Sequence, residues 1–374
     1  MAPDDTVAAK SRMNRPIDAP SSGGEPDATR RQLLRVAAGG AALATLPPAG
    51  AQSVIEPPAS SRELWQWVRL QPAIEPRIAY FDSATLGPTW RAAMANEYRA
   101  RESSSVHVAR FGDQDRWIEE SARLAKRFGA FFGCDADEVL FTRGAGESLS
   151  IVAAGLDLAA GDEIVTTEHE HPAAIAPWQI LARRRGVIIK PIRLAGPLPG
   201  PEEALGRVAG AVTERTRVLL CSHVQYTDGA LMPIADLCRF ARERDILTVI
   251  DGAQATGMLQ VDVRELGCDF YAASFHKWLC GSHGTGLLYV RGEALERLWP
   301  IEPRLDGWQP GLPAALQKLG NRVPYAWPAL RGTETALDLH ARINRARIEA
   351  RVRELAIYAR LRLGQFSQLE PVAP

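Results

Sequence analysis

The sequence predicts an α/β protein in which helices lie on both faces of a mostly parallel sheet. From Arg77 onward, short apolar runs alternate with longer stretches whose apolar residues recur at helical spacing. This alternation is typical of parallel strands joined by crossover helices, and such strands are buried on both faces. In addition, polar residues cluster directly after several of the apolar runs, at the strand ends where open α/β sheets bind ligands.

The predicted strands share a short apolar run that is bounded by polar or turn residues. They are residues 78–81, 139–142, 163–167, 187–192, 217–222, 246–250, 270–274 and 286–290. The predicted helices share apolar residues that recur on one helical face. They are residues 118–132, 148–158, 177–185 and 234–244, followed by an arginine-rich helical stretch at 336–363.

Three segments are predicted after an N-terminal leader. Residues 52–76 form an N-terminal segment, residues 77–328 a large α/β domain, and residues 329–374 a partial small C-terminal domain. A chain of 374 residues is long enough for one large core domain and a smaller one. No strand pattern follows the stretch at 336–363.

The leader, residues 1–51, has the features of an export signal. The pair Arg30-Arg31 precedes an apolar stretch at 36–46, and Ala-Gly-Ala at 49–51 supplies a small-residue cleavage site. The apolar stretch is too short to span a bilayer, which takes about 20 apolar residues. The paired arginines resemble those of twin-arginine signals.

This resemblance implies export by the twin-arginine machinery to the periplasm or the medium. The mature chain would then begin at Gln52. The alternative is a disordered leader with a chance Arg-Arg pair, in which case the protein is cytoplasmic. No other membrane segment is evident in the sequence.

The composition argues against several classes of function. Lys plus Arg and Asp plus Glu both number 44, so the formal net charge is zero, and no long basic run suggests a nucleic-acid partner. The five cysteines are odd in number and form no C-x-x-C pair, which argues against a disulfide framework and a zinc ribbon. We therefore predict no metal site, and a small-molecule enzyme is compatible with the balanced charge.

Five polar clusters follow predicted strands. They are residues 143–147, 168–172, 222–226, 251–254 and 274–278. Their residue types suit one kind of cofactor. A lysine can form an imine with an aldehyde, and a carboxylate beside a pyridine nitrogen keeps that nitrogen protonated. Glycine-rich backbone at a helix start can hold a phosphate through free N–H groups and the helix dipole.

Two of these clusters, Asp-Gly-Ala-Gln at 251–254 and Ser-Phe-His-Lys-Trp at 274–278, resemble motifs of the class V aminotransferase family. This family of fold-type I pyridoxal 5′-phosphate (PLP) enzymes includes isopenicillin N epimerase-like proteins, cysteine desulfurases and kynureninase relatives. The resemblance runs from about Tyr80 to about Thr333. It implies the fold-type I PLP-dependent transferase fold, with the small C-terminal domain shortened, and PLP as the cofactor.

The resemblance also implies roles for individual residues at the ring of the cofactor. Lys277 matches the Schiff-base lysine, Asp251 the carboxylate at the pyridine nitrogen, and Gln254 the donor to the phenolic oxygen. His171 matches the histidine that stacks on the ring, with His169 as the alternative. We expect Lys277, Asp251 and His171 to be the catalytic residues.

Further residues match positions around the cofactor. Ser274 and His276 match phosphate contacts, and Tyr226 stands where an asparagine often faces the cofactor. Ala145 and Gly146 replace two threonines of the desulfurases, which leaves their backbone N–H groups for the phosphate.

A contact between subunits is also implied. Gly332-Thr333 resembles a segment that reaches the phosphate of the neighbouring subunit. Thr333 would then belong to the active site of a partner chain. We therefore expect a homodimer with a shared active site.

The reaction implied is that of a PLP-dependent enzyme on an amino acid or an amine derived from one. The substrate would form an external aldimine and then a Cα carbanion, leading to epimerase-like or aminotransferase-like chemistry. Alternatives are a cysteine desulfurase or lyase reaction, and a non-catalytic binding protein with this fold. The run Glu-His-Glu-x-Pro at 168–172 and the absence of the desulfurase cysteine segment favour the epimerase-like branch, and Cys280 is not expected to be a nucleophile. No arginine is evident that would bind the substrate carboxylate.

Overall fold

A computed structural model describes residues 56–75, 77–194, 200–301 and 311–369. The predicted signal and its cleavage site lie outside these ranges. Within them, seven strands form one sheet. The strands are β1 Val139–Thr142, β2 Glu163–Thr167, β3 Ile188–Ile192, β4 Thr216–Ser222, β5 Leu247–Asp251, β6 Phe270–Ser274 and β7 Gly286–Val290.

The strand order across the sheet is β1-β7-β6-β5-β4-β2-β3. Strands β6, β5, β4, β2 and β3 pair in parallel, and β7 runs antiparallel to β6 and to β1. The prediction of a mostly parallel sheet is therefore confirmed. The central strands β2, β5 and β6 are buried along their whole length, as expected where helices cover both faces.

Helices surround the sheet and follow the strands in the chain. They are α1 Ser61–Leu70, α2 Arg91–Val106, α3 Val108–Phe111, α4 Gln114–Phe132, α5 Ala145–Gly155, α6 Pro172–Arg185, α7 Pro201–Ala211, α8 Ile234–Arg242, α9 Val263–Leu266, α10 Gly292–Leu295, α11 Ala314–Leu319, α12 Val323–Ile343 and α13 Arg345–Leu363, with a 3₁₀ turn at Ala136–Glu138.

The predicted strand at 78–81 is wrong. These residues form no ladder with another strand, and Phe81 is 91% exposed. The hydroxyl of Tyr80 donates to the carbonyl oxygen of Leu86, 2.5 Å away, so this segment bonds within its own loop. An apolar run has strand character only when a neighbouring strand satisfies its backbone groups, and sequence periodicity does not report that neighbour.

Helix α6 begins earlier than predicted. Pro172 occupies its first turn, and the ring Nδ1 of His171 accepts a hydrogen bond from the N–H of Ala173 at 3.1 Å. A proline in the first turn loses no helical hydrogen bond, and the capping side chain satisfies one of the free N–H groups. The predicted start at residue 177 mistook a second proline, Pro177, for the helix start, although it lies inside the helix.

The C-terminal helical stretch is two helices rather than one. Asn344 interrupts it with a φ of 78°, and its side chain accepts a hydrogen bond from the N–H of Ala346 at 2.9 Å, which caps α13. Helix α12 packs along α2 and runs through the predicted domain boundary at 328/329. None of the residues of α13 is buried. Among the described residues, no helix has the length and apolar character needed to cross a membrane.

One aromatic cluster connects the core to the end of β6. The ring of Phe275 lies 5.2 Å from that of Phe128 and 6.2 Å from that of Phe132, both on α4. Phe275 is fully buried and comes directly before His276 and Lys277. The core therefore fixes the backbone from which these two polar side chains extend.

Candidate active site

A cavity of about 630 Å³ lies at the carboxyl edge of the parallel strands. The loops after β1, β2, β4, β5 and β6 supply most of its walls, as the strand-end rule predicts. Every predicted site residue except Thr333 lines it. These residues are Ala145, Gly146, His171, Tyr226, Asp251, Gln254, Ser274, His276 and Lys277.

The start of α5 forms one end of the cavity. Gly144 precedes it with a φ of 155°, and a Cβ at this position would lie 3.1 Å from Cε1 of His276. The N–H of Ala145 donates to Oγ of Ser274 at 2.9 Å. The first N–H groups of a helix have no partner within the helix, so this end is suited to an anion such as a phosphate. Ser274 already occupies the N–H of Ala145, which leaves the N–H groups that follow it for the anion.

His276 adds a side chain to this end. Its Nδ1 is buried and has no hydrogen-bond partner among the residues described. Burial and the neighbouring positive charge of Lys277 lower the pKa of His276, so the ring is neutral at neutral pH. A buried ring nitrogen without a partner is costly, and one oxygen of a bound phosphate would satisfy it.

Lys277 lines the cavity and is half-buried. Burial lowers the pKa of its ammonium group, while Asp251 and Asp82 raise it. A lowered pKa increases the fraction of free amine, which is the nucleophilic form that reacts with an aldehyde. Gly87 packs against the backbone of Lys277. The N–H of Gly87 donates to the carbonyl oxygen of the preceding residue, His276, at 2.7 Å. A Cβ added to Gly87 would lie only 1.7 Å from the carbonyl oxygen of Lys277.

Asp251 forms the floor of the cavity at the end of β5. One of its oxygens accepts a hydrogen bond from the N–H of Ala253 at 2.9 Å. Burial raises the pKa of Asp251, while that N–H and the charges of Lys277 and His171 lower it. The carboxylate forms no ion pair at salt-bridge distance within the described ranges. A cationic group in the cavity, such as a protonated pyridine, would therefore stabilise it.

Gln254 is held at both ends of its amide. Its Nε2 donates to the carbonyl oxygen of Ala84 at 3.1 Å, and its Oε1 accepts from Nε1 of Trp278 at 2.7 Å. Because Nε2 carries two hydrogens, one remains for an acceptor in the cavity. Trp278 thus fixes the amide orientation, a role that the sequence did not indicate.

The geometry separates the two histidines that follow β2. His171 lines the cavity, and its ring lies 4.9 Å from that of Tyr226 at an interplanar angle of 79°. The cap interaction with Ala173 fixes the orientation of the His171 ring. His169 does not line the cavity, and its Nδ1 lies 2.9 Å from Oγ1 of Thr227. The structure therefore favours His171 for the ring-stacking position.

The prediction for Thr333 needs correction. This residue lies inside α12 and is fully buried in its own chain. Its Oγ1 accepts a hydrogen bond from the N–H of Ser282 at 3.1 Å and lies 3.0 Å from Oγ1 of Thr285. A side chain committed to these contacts cannot reach the phosphate of another subunit. The resemblance in sequence did not show that helix packing encloses both Gly332 and Thr333.

Several residues of the cavity were missed from the sequence. Arg322, directly before α12, lines the cavity and its Nη1 donates to Oε1 of Glu147 at 2.6 Å. Glu147 also accepts a hydrogen bond from the backbone N–H of Arg143 at 2.6 Å and forms an ion pair with the Arg143 guanidinium at 3.3 Å. No local pattern could have joined Arg322 to Glu147, because their contact depends on how α12 packs.

Two further residues were missed, one at the floor and one behind it. Ser222, the last residue of β4, lines the cavity next to Asp251, its partner in the parallel ladder. Glu170 lies behind Ser222 and accepts a hydrogen bond from its hydroxyl at 2.6 Å. Burial raises the pKa of Glu170 to about 7. The sequence shows both residues within polar clusters but not that they are bonded.

A half-buried lysine, a buried carboxylate and a helix N-terminus around one cavity at this edge of the sheet are the groups that a PLP-dependent enzyme needs to hold its cofactor. The orphaned Nδ1 of His276 and the open N–H groups of α5 suit the phosphate. Asp251 suits the protonated ring nitrogen, and Lys277 suits the aldehyde. The residues present therefore fit this cofactor.

Comparison with known proteins agrees with this class. Residues 79–374 match the family model described as Aminotransferase class-V. The isopenicillin N epimerase of Amycolatopsis lactamdurans is 31% identical over 332 residues, covering 83% of this chain and 81% of that protein. A probable cysteine desulfurase of Pseudomonas aeruginosa is 34% identical over 295 residues, covering 71% of this chain and 72% of that protein. The structure of a cysteine desulfurase from Escherichia coli has a TM-score of 0.67 and 26% identity, covering 81% of this chain and 77% of that one.

The chain belongs to the class V aminotransferase family. It is a PLP-dependent enzyme with the fold-type I architecture of that family. The relatives include an epimerase and desulfurases, so the family alone does not distinguish between these reactions.

Proposed function

We propose that this enzyme moves the α-proton of an amino acid in an epimerase-like reaction. The observation that carries the proposal is that Lys277 and Asp251 meet in a cavity that no described cysteine lines. Burial raises the pKa of the Cys280 thiol to about 12, and its Sγ contacts the carbonyl oxygen of Trp278 at 3.7 Å. A protonated thiol held in this way is a poor nucleophile. Sulfur transfer to a cavity cysteine is therefore disfavoured.

The cofactor, when bound, supplies an electron sink for the electron pair that remains on Cα after proton loss. Lys277 is the group suited to take the α-proton, because burial lowers its pKa and so increases the fraction of free amine. Asp251 keeps negative charge at the ring-nitrogen end. Epimerisation also needs a group that returns a proton, and the cavity wall offers His171 and Tyr226, whose rings are in contact.

The substrate class follows from the arginines around Glu147. Arg322 and Arg143 both contact this carboxylate, so either guanidinium could turn toward an incoming carboxylate while the other keeps Glu147 paired. Arginine binds carboxylates through two parallel hydrogen bonds. We infer that an α-carboxylate enters on this side, and that Arg322, which is the less exposed of the two, is its principal contact.

The test uses the PLP-loaded protein and a panel of L- and D-amino acids in heavy water. We expect deuterium at Cα together with loss of optical activity and no keto acid. Keto acid formation at the same rate as exchange would show an aminotransferase. Release of sulfide or persulfide from cysteine would show the second candidate, a desulfurase or lyase reaction, which the desulfurase relatives favour. An absence of exchange with every amino acid would contradict the proposal and favour a non-catalytic binding protein.

We also propose that the protein is exported by the twin-arginine machinery. The support is the Arg30-Arg31 pair and the Ala-Gly-Ala site at 49–51. The mature N-terminus should be Gln52, and the double variant Arg30→Lys, Arg31→Lys should accumulate in the cytoplasm. Extracytoplasmic protein that still carries residues 1–51 would refute the cleavage.

A homodimer is a further proposal. Its support is the family resemblance together with large exposed apolar side chains, among which Phe81 and Tyr325 are each 91% exposed. Exposed apolar groups of this size commonly mark interaction surfaces. Sedimentation of the purified chain at micromolar concentration tests it, and a monomer at all concentrations would refute it.

A further inference from the structure

A second buried carboxyl lies behind the floor of the cavity. Glu170, in the loop between β2 and α6, is 7% exposed. Its Oε1 accepts a hydrogen bond from the hydroxyl of Thr167 at 2.7 Å, and its Oε2 accepts from the hydroxyl of Ser222 at 2.6 Å. Among the residues that the structure describes, no lysine, arginine or histidine pairs with Glu170. Both of its oxygens are thus held by neutral donors.

A buried carboxylate without a cation is costly, so such a group tends to hold a proton. Burial raises the pKa of Glu170, and the negative charge of Asp251 adds to that rise, while the bonds from Ser222 and Thr167 lower the pKa, and the net pKa is about 7. The charge of Glu170 therefore changes near neutral pH. Burying an ionisable group costs free energy of folding. A group buried at this cost beside an active site is therefore a candidate for a role in that site.

Ser222 connects Glu170 to the cavity. Its hydroxyl has one proton, and because that proton is donated to Glu170, the lone pairs of Oγ are left for the cavity side. Ser222 and Asp251 are direct neighbours in the parallel ladder. The two carboxyls therefore act on each other through a region of low dielectric constant, where charges interact strongly.

The other ionisable groups around this floor are few and have their own partners. The charges of Lys277 and His171 act on Asp251, and the charge of Asp82 acts on Lys277. Cys221, on β4, is fully buried, and burial keeps its thiol protonated. His223 turns to the hydroxyl of Tyr271 at 3.0 Å, and burial lowers its pKa to about 4, so it remains neutral near pH 7.

The ionisable residues on the exposed side of the same loop contact other groups and not Glu170. His169 contacts Thr227, and Glu168 contacts His169 and Arg193. None of these groups neutralises Glu170. A change in the charge of Glu170 therefore acts mainly on the electrostatic environment of Asp251.

We propose that Glu170 is a positioning residue for Asp251. Glu170 acts through Ser222 and sets the total negative charge at the floor of the cavity. That charge in turn sets how firmly the site holds a proton on the cofactor. Ionised Glu170 strengthens the hold on that proton, and neutral Glu170 weakens it. This inference rests on PLP binding by the site and not on which reaction follows.

The first test is a pH titration of the visible absorption band of PLP bound to Lys277. In Glu170→Gln, which keeps the shape and one acceptor oxygen, we expect the midpoint to fall by about 0.5–1 pH unit, the size of one charge acting at this range. Ser222→Ala should shift the midpoint in the same direction by less, because it favours neutral Glu170. Glu168→Gln, on the exposed side of the loop, is the matched control and should leave the midpoint unchanged.

The second test needs no cofactor. An infrared difference spectrum between the apo chain and apo Glu170→Gln should show a protonated carboxyl band that titrates near pH 7. A band that is already lost by pH 5 would overturn the proposal. So would an unchanged midpoint of the visible band in both Glu170→Gln and Ser222→Ala.

These outcomes can be told apart from failure of the cofactor assignment. If no variant and no parent protein shows a visible band with PLP, the cofactor assignment fails for all of them, and the inference, which rests on it, is overturned as well. If the parent shows the band and the midpoints coincide, only the role of Glu170 fails. If Glu170→Gln does not fold, Ser222→Ala carries the visible test, and carbon-13 labelling of glutamate in the parent carries the second.

Discussion

The two ends of the cavity consist of different kinds of chemical group. The end at α5 consists of backbone N–H groups, the hydroxyl of Ser274 and the neutral ring of His276. The floor is the buried carboxyl of Asp251, and a second buried carboxyl, Glu170, lies behind it. Neutral dipoles bind an anion without changing with pH, whereas carboxyls bind a cation and also titrate. We therefore expect pH to change the charge at the floor and the rate of the reaction, while the affinity for the phosphate group stays nearly constant.

The largest effect should come from the group between the two ends. In Lys277→Ala both ends are intact, so we expect PLP to be retained without the covalent link. The visible band should be lost and α-proton exchange should fall by about four orders of magnitude or more, because the base and the link are removed together. Borohydride treatment followed by peptide mapping checks the site in the parent, and Lys126→Ala, an exposed lysine, is the control. Attachment to any other lysine would refute the assignment.

The next effect separates binding from chemistry at the floor. Asp251→Asn keeps the shape but loses the charge, which matters most when negative charge develops on the ring. We expect α-proton exchange in heavy water to fall by about two to four orders of magnitude, or about 3–5 kcal/mol, with PLP still bound. Exchange at the parent rate would show that Asp251 does not face the ring nitrogen.

The floor should also make stability depend on pH. The folded-state pKa of Glu170 lies above its unfolded value, so its contribution is complete below about pH 4.5 and is lost as the pH rises through about 7. Relative to Glu170→Gln, the apo parent should lose about 1–3 kcal/mol of unfolding free energy between pH 5 and pH 8. Urea denaturation at both pH values measures this, and parallel pH profiles would contradict it.

The smallest effect is expected at the helix end. His276→Ala removes one neutral hydrogen-bonding group, so the affinity for PLP should fall roughly tenfold, or about 1.4 kcal/mol. The affinity for pyridoxal, which lacks the phosphate, should be unchanged. Fluorescence titrations with both compounds compare the two, and an equal loss for both would place His276 away from the phosphate.

The sequence predicted those parts of the molecule that depend on local pattern. Strands 139–142, 163–167, 270–274 and 286–290 have the predicted bounds, because each is a short, fully buried run bounded by polar or turn residues. The same reasoning failed at 78–81, where the apolar run has no neighbouring strand. Periodicity reports which side chains could be buried, not what lies beside them.

The residues of the candidate site also divide into those that the local sequence pattern predicted and those that it did not. Residues placed directly after strands, such as Asp251 and Lys277, were found because the strand-end rule is local. Thr333 was misplaced, and Arg322 was missed, because both depend on how α12 packs against distant parts of the chain. Glu170 was visible in its cluster, but its bond to Ser222 joins two strand ends whose adjacency only the sheet order reveals.

The close approach of Gly87 to the backbone of Lys277 limits how this site can evolve. A Cβ added to Gly87 would lie 1.7 Å from the carbonyl oxygen of Lys277, so every other residue must displace either the loop or the lysine. A displacement of about 1 Å at a reacting group can cost a hundredfold in rate. Position 87 should thus accept only glycine in a saturation library selected for turnover, although the residue touches no substrate. Adaptation to new substrates must therefore occur at the residues that line the cavity.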